Sequence, residues 1–296
     1  MKNAFNMKIP EIREILEIQN VRKYITETLE SILETLRIND KQKINSDLLE
    51  LSCERLDAYE QKAHEILEQA GVTEKIQDHL SDRAEKIYDQ IKPFLVGNTA
   101  LDLGCGDGKI GTILAKKGFQ TTLADVYKNP NVEKTGLEFI DLNQGQDVPL
   151  QKQYDNVLLL TVMHHSDDPI KTLREAKRLS RERIIIIESV DGISPNIEET
   201  FDYGIQSKKE SQRFKLLNQE EQRLVNIFFD HFYNRVLHYS SNIESKVNVP
   251  FNFNTPKEWS RIFRENQLTQ LAVQYLGVDQ PIVPEYHTLH ILEVKQ

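Results

Sequence analysis

The chain has 296 residues, 39% apolar and 28% charged, and a formal net charge of −9. That composition is ordinary for a soluble globular protein of one large domain or two modest ones, and the acidic balance disfavours a broad nucleic-acid footprint, which needs clustered Lys and Arg. Its two cysteines, Cys53 and Cys105, form neither a metal-ligand spacing nor a disulfide framework, the N-terminus lacks a secretory apolar segment, and no run approaches the roughly 18 apolar residues of a membrane span, so a cytoplasmic protein without a structural metal is expected.

Residues 1–92 read as a helical N-terminal extension. Ile12, Ile15, Leu16, Ile18 and Gln19, then Val21, Ile25, Leu29, Ile32, Leu33 and Leu36, follow a 3.6-residue period and predict a first helix from residue 9. Asn39-Asp40 punctuates. A second helix carries Leu48, Leu49, Leu51, Leu56, Tyr59, Ile66 and Leu67 and ends at Gly71, and a third runs over about 74–92 up to Pro93. This extension has no catalytic pattern. It suits packing on the main domain or, through its amphipathic faces, a homodimer; a lid is the alternative.

Residues 93–296 alternate strand, turn and helix. Strands are predicted at 99–104, 121–125, 137–142, 155–162 and 183–190, with helices at 109–118 and 168–180. The strands are short continuous apolar runs, as expected when helices cover both faces of a parallel sheet. Residues 191–254 break the rhythm and read as a helical cap insertion, with a helix over 219–237 and an irregular connection over 240–254. Thr255-Pro256-Lys257-Glu258 is a capping box with proline at the first helical position, opening a helix that runs to about Glu265. The last strands, 269–276 and 287–294, are joined by the ten residues 277–286. That is too short for a helical crossover, so this pair is expected to be antiparallel. The expected fold is α/β, with a doubly wound, mostly parallel seven-stranded sheet whose last strand is antiparallel.

The first strand runs into LDLGCGDGK, residues 101–109. A dinucleotide fingerprint would read G-x-G-x-x-G, and a P-loop G-x-x-x-x-G-K-[ST]. Here the third glycine comes one residue early and acids lie in and before the turn, where they would repel a pyrophosphate. They suit a cationic or ammonium group. Asp125, ending the second strand, can accept from both hydroxyls of a ribose. A ligand with a ribose, no pyrophosphate and a positive group describes S-adenosylmethionine (SAM).

DLGCGDG, Asp125, FIDL at 139–142 and YDNVLLLTVMHHSDDP at 154–169 resemble the class I SAM-dependent methyltransferases, a Rossmann-like fold. The nearest flavour is the type-11 group of ubiquinone and menaquinone biosynthesis. The resemblance covers about residues 95–190, and the last two strands fit the family's terminal hairpin. It implies that Gly104, Cys105 and Gly106 pass close to the methionine and ribose of SAM, and that Asp102 approaches the ammonium. Asp125, with Val126 beside it, would bind the ribose, Asp141 and the Leu142 amide the adenine edge, and Thr161 with Val162 the methionine side. One departure is RLSRER, where the family has a Lys-Pro-Gly-Gly-like turn before the fifth strand.

The sequence lacks the [Asn/Asp/Ser]-Pro-Pro-[Tyr/Phe] motif used to methylate planar nitrogens; TVMHHSDDP stands in its place. Neither cysteine is placed to attack a cytosine. Candidate catalytic residues follow from the ligand edge of the sheet: His165, beside His164 after the fourth strand, Tyr286 and His287 before the seventh, and His231 in the aromatic-rich insertion, near Tyr233 and Arg235. Glu188 and Ser189 end the fifth strand at the same edge. A histidine there can serve as base, since imidazole titrates near neutrality. The reading is SAM-dependent methyl transfer to a small organic or lipid-like acceptor, at O, N or C. RNA or protein methylation, or a non-catalytic SAM-binding scaffold, are the alternatives, and the glycine spacing opposes a dehydrogenase.

Overall fold

A computed structural model describes residues 11–51, 56–142, 152–241, 246–280 and 282–294. The expected helix start at residue 9, the middle of the second expected helix at 52–55 and part of the irregular connection, 242–245, lie outside the described residues.

The strands are β1 (Thr99–Leu103), β2 (Gln120–Asp125), β3 (Glu138–Asp141), β4 (Tyr154–Leu160), β5 (Ser180–Ser189), β6 (Thr269–Gly277) and β7 (His287–Glu293). They form one seven-stranded sheet in the order β3-β2-β1-β4-β5-β7-β6. β1 pairs in parallel with β2 and β4, β2 with β3, and β4 with β5. The last strands are antiparallel, as the short connection between them predicts. Val157, Leu158, Leu159, Ile184, Ile185 and Ile186 are fully buried, which explains the absence of polar alternation in β4 and β5. Strand order reverses between β1 and β4, so ligands are expected at the carboxyl ends of those two strands.

Two helices set the turns at this edge. α6 (Lys109–Lys116) follows the glycine turn, and a Cβ on Gly111 would lie 2.2 Å from Leu123 of β2, so only glycine allows this approach. α7 (Pro169–Leu179) starts with proline, and the Asp168 carboxylate accepts the Lys171 amide at 2.9 Å as an N-cap. Lys177 and Arg178 sit in its last turn, where cations oppose the helix dipole. α7 passes straight into β5 at Ser180. RLSRER is therefore the helix end and the strand start, with no separate turn.

The described residues group into two compact units. One comprises Leu80–Glu188, Lys257–Gln274 and the segment from Thr288 onward, and carries most of the sheet. It also holds nearly all of α10 (Pro256–Glu265), where Trp259 and Phe263 stack at 6.0 Å in the core. The other gathers the chain up to His79, Ser189–Pro256 and Tyr275–His287. It is helical: α1 (Ile12–Glu17), α2 (Gln19–Thr35), α3 (Lys41–Glu50), α4 (Leu56–Gln69), the start of α5 (Val72–Ile91), α8 (Ile205–Lys215), α9 (Gln219–His231) and a π-helical turn, Phe232–Leu237. α2 packs on α3, α8 and α9, and α4 packs on the π-helical turn. The α2 stripe of Val21, Tyr24, Ile25, Leu29, Ile32 and Leu33 is buried in this unit.

Three local readings differ. The first expected helix breaks at Ile18, which is extended (φ −82°, ψ 113°). The helix expected over 219–237 changes pitch at Phe232, and α8 is an element the sequence did not suggest. Among the described residues no helix is long and apolar enough to cross a membrane.

Candidate active site

The turn after β1 is built from left-handed glycines: φ is +80° at Gly104, +52° at Gly106 and +74° at Gly108. The Gly104 and Cys105 amides both donate to the Ala124 carbonyl, at 2.8 and 3.2 Å, tying the turn to the end of β2. A Cβ on Gly104 would lie 2.6 Å from the Val162 side chain. The turn therefore rests against the residues that follow β4. There Thr161 has φ +59°, an unusual value for a β-branched residue, and its amide donates to the Ile187 carbonyl at 2.7 Å.

Two carboxylates sit at this edge. Asp102 is 2% exposed, and its Oδ2 has no hydrogen-bond partner in the protein. Burial first, then Asp125 and Asp107, push its pKa up to about 7 against the Gly111 amide, which favours the charged form. The Asp125 carboxylate accepts the Gly106 amide at 2.9 Å and the Tyr127 amide at 3.2 Å, one on each oxygen. Its burial outweighs these amides and holds its pKa above the usual carboxylate range. Lone pairs on both oxygens remain for a hydroxylated ligand. Val126, next in the chain, is 61% exposed. Asp141 is half-buried, and the Leu142 amide donates to the Asp125 carbonyl at 2.9 Å, so it is engaged in the sheet rather than offered to an adenine. The Cys105 thiol is buried, and burial with Asp102 and Asp125 pushes its pKa far up, which makes it inert.

The β4 edge is held from β5. Glu188 is fully buried. Its Oε1 accepts the Val162 and Met163 amides at 3.1 and 2.7 Å, and its Oε2 meets the His164 amide at 3.3 Å and His164 Nδ1 at 2.6 Å. The His164 and His165 rings lie 4.1 Å apart, tilted by 41°. The sequence singled out His165; His164 beside it meets the Glu188 carboxylate. The available signal was an acid ending an apolar strand, in register with a histidine pair on its neighbour.

His231, Tyr286 and His287 belong to the helical unit, and the glycine turn belongs to the other. His231 Nε2 lies 3.2 Å from Glu60 Oε1, which also takes Arg235 Nε at 3.1 Å; Glu60 Oε2 takes Lys246 Nζ at 2.7 Å. Burial raises the Glu60 pKa, but His231, Lys246 and Arg235 outweigh it and hold the carboxyl at about 2. The Tyr286 hydroxyl donates to Glu199 Oε1 at 3.1 Å, and its ring stacks on Phe214 at 5.6 Å. Burial, then Glu199, push the phenol pKa far above its usual value, so Tyr286 supplies no phenolate near neutrality. His287 stands between Asp279 (Nδ1, 2.9 Å) and Glu285 (Nε2, 3.7 Å), and Glu285 also accepts the Ser189 hydroxyl. Burial alone would lower the His287 pKa; the two carboxylates overcome it and raise it. The imidazolium is favoured, the form that cannot accept a proton.

A family model described as a methyltransferase domain matches residues 73–273, more than half of the chain. The chain belongs to the class I SAM-dependent methyltransferases.

The methyltransferase is also similar to solved structures. One is a Thermotoga maritima SAM-dependent methyltransferase described as a possible histamine N-methyltransferase, at 15% identity over 76% of this chain and 96% of that one, with a TM-score of 0.48. A Pyrococcus horikoshii protein matches at 16% over 72% and 90%, TM-score 0.47. Burkholderia thailandensis 1,6-didemethyltoxoflavin-N1-methyltransferase, with bound 1,6-didemethyltoxoflavin and S-adenosylhomocysteine, matches at 14% over 73% and 78%, TM-score 0.44. No curated protein matches. The methyltransferase's own residues fit SAM. The buried Asp102 Oδ2 that lacks a partner suits an ammonium, Gly106, with open space where a Cβ would stand, leaves room for a close ligand, and Asp125 keeps lone pairs for a ribose.

Proposed function

We propose that the methyltransferase methylates a small organic or lipid-like acceptor in the cytoplasm, in the manner of the type-11 group that its sequence resembles. The observation that carries the cofactor half of this reading is the unpartnered Asp102 oxygen, buried at the switch point of the sheet and beside the glycine turn. An isolated buried carboxylate is costly and is kept where a ligand compensates it.

SAM supplies a methyl group on a cationic sulfur, already activated for in-line displacement. The chain's task is then to bind, orient and exclude water. Asp102 would pair with the ammonium and Asp125 with the ribose hydroxyls, while Gly104, Gly106, Thr161 and Val162 shape the methionine side. Of the nominated catalytic residues, His165 lies on the turn that follows β4, and we assign any proton removal from the acceptor to it. Tyr286, hydrogen-bonded to Glu199, and His287, favoured as imidazolium, suit binding better than base catalysis. The insertion 191–254 follows the carboxyl end of β5, and its Phe228, Phe229 and Phe232 are buried against one another. The net charge of −9 argues against RNA.

Calorimetric titration with SAM, S-adenosylhomocysteine and NAD tests the reading. Binding of the first two and silence with NAD is expected. Binding of NAD in their place would overturn it.

A further inference from the structure

Glu188 gathers four donors from the neighbouring strand end: the amides of Val162, Met163 and His164, and the His164 ring. His164 Nδ1 and Glu188 Oε2 share one proton across their 2.6 Å contact, because a hydrogen bond needs a donor on one side. The clamped residues come directly after Thr161, held at φ +59°, and Val162 is the side chain against which Gly104 is packed. A β-branched residue in that backbone region persists only where its surroundings over-determine it. Here two β5 groups do so: the Ile187 carbonyl, which takes the Thr161 amide, and the Glu188 carboxylate one residue later.

We propose that Glu188 is a positioning residue for methyl transfer. By clamping residues 162–164 it holds the Thr161–Val162 wall against the glycine turn and so sets the methionine end of the cofactor site. It touches no reacting atom. The proposal rests on the SAM reading given above.

The test uses the full chain and S-adenosylhomocysteine as probe. In Glu188→Gln an amide group replaces one oxygen, and two of the four donors then face another donor. Its S-adenosylhomocysteine affinity is expected to fall about tenfold or more, the scale of a lost hydrogen bond to a charged group. Glu60→Gln breaks a buried ionic cluster elsewhere and controls for destabilisation alone; its affinity is expected to match the wild type. A second readout needs no variant that might misfold. The proton shared by wild-type His164 Nδ1 and Glu188 Oε2, buried on both sides, gives a downfield, slowly exchanging resonance, assigned by its loss in His164→Asn. Saturating S-adenosylhomocysteine is expected to shift it. Wild-type affinity in Glu188→Gln, or a resonance that the ligand leaves in place, overturns the proposal. A wild-type protein that binds neither SAM nor S-adenosylhomocysteine overturns the parent reading instead.

Discussion

Replacing Asp102 with Asn separates stability from cofactor binding in opposite directions. The Asp102 carboxyl titrates at about 7 in the folded chain against an ordinary value of 3.8, because it is buried and lies near Asp125 and Asp107. Between those two values the unfolded chain has released this proton and the folded chain still holds it. Wild-type stability contributed by this group is therefore full below about pH 4, falls as pH rises towards 7, and stays low above it. At 1.36 kcal/mol per pKa unit, the span corresponds to a penalty on the order of 4 kcal/mol at pH 8. Asp102→Asn keeps the shape and removes the charge. At pH 8 its thermal midpoint is expected to rise by several degrees, since each kcal/mol moves a chain of this size by roughly 2–4 °C. At pH 4 the two proteins are expected to melt together. Binding of SAM, whose ammonium needs a carboxylate partner, is expected to weaken at least tenfold in the variant, the scale of a charge-assisted hydrogen bond of about 1.5–3 kcal/mol. Circular-dichroism melts at the two pH values, with calorimetry at pH 8, make the comparison. A variant that melts no higher than wild type at pH 8, or that binds SAM unchanged, would refute the argument from the unpartnered oxygen.

Four further outcomes are expected. Asp125→Ala should weaken SAM binding by about 1.5–3 kcal/mol in calorimetry while leaving the melting temperature close to wild type. Gly104→Ala should abolish measurable SAM binding, because its Cβ would lie 2.6 Å from Val162 at a backbone angle of +80°; retained binding would show that the turn can relax. His287 has a raised pKa, so its ion pairs stabilise the fold fully below its unfolded value of about 6.5 and lose that contribution as pH climbs through the raised folded value. His287→Gln should therefore flatten the fall in melting temperature on the alkaline side. Glu60→Ala leaves His231, Arg235 and Lys246 without their shared carboxylate and should cost roughly 3 kcal/mol in urea unfolding at pH 7. Because the Glu60 carboxyl is depressed to about 2, that deficit should shrink as pH falls from about 4.5 towards 2.

The sheet was legible because its strands are continuous apolar runs separated by turn chemistry, and the length of the last connection decided the direction of β7. The helical unit was harder to read. Ile18 interrupts α1 and α2 without a glycine or proline to mark the break. α8 buries Ser207, Glu210, Ser211 and Lys215 beside Phe214, so its inner face carries little apolar signal. Asp102 and Gly104 stand out by spacing within one segment, and Asp125 as the acid that ends the second apolar strand. Glu188 does not, because its partners lie more than twenty residues away in the chain. The same holds for Asp279 and Glu285 around His287, whose shared effect on one imidazole is a matter of packing.

The helical unit also sets an order of events during synthesis. Its N-terminal helices are made first, yet α9, on which α1 and α2 pack, ends at His231. For the whole intervening stretch the α2 stripe has α1 and α3 beside it but lacks the cover of α8 and α9, while the parallel core strands β1 to β5 have already been made. Contacts of such long sequence separation form late, and exposed apolar helices are prone to aggregate while they wait. Cutting the gene at residue 92 would make that transient exposure permanent in the downstream fragment, because the faces of α8 and α9 that receive α2 would have nothing to meet.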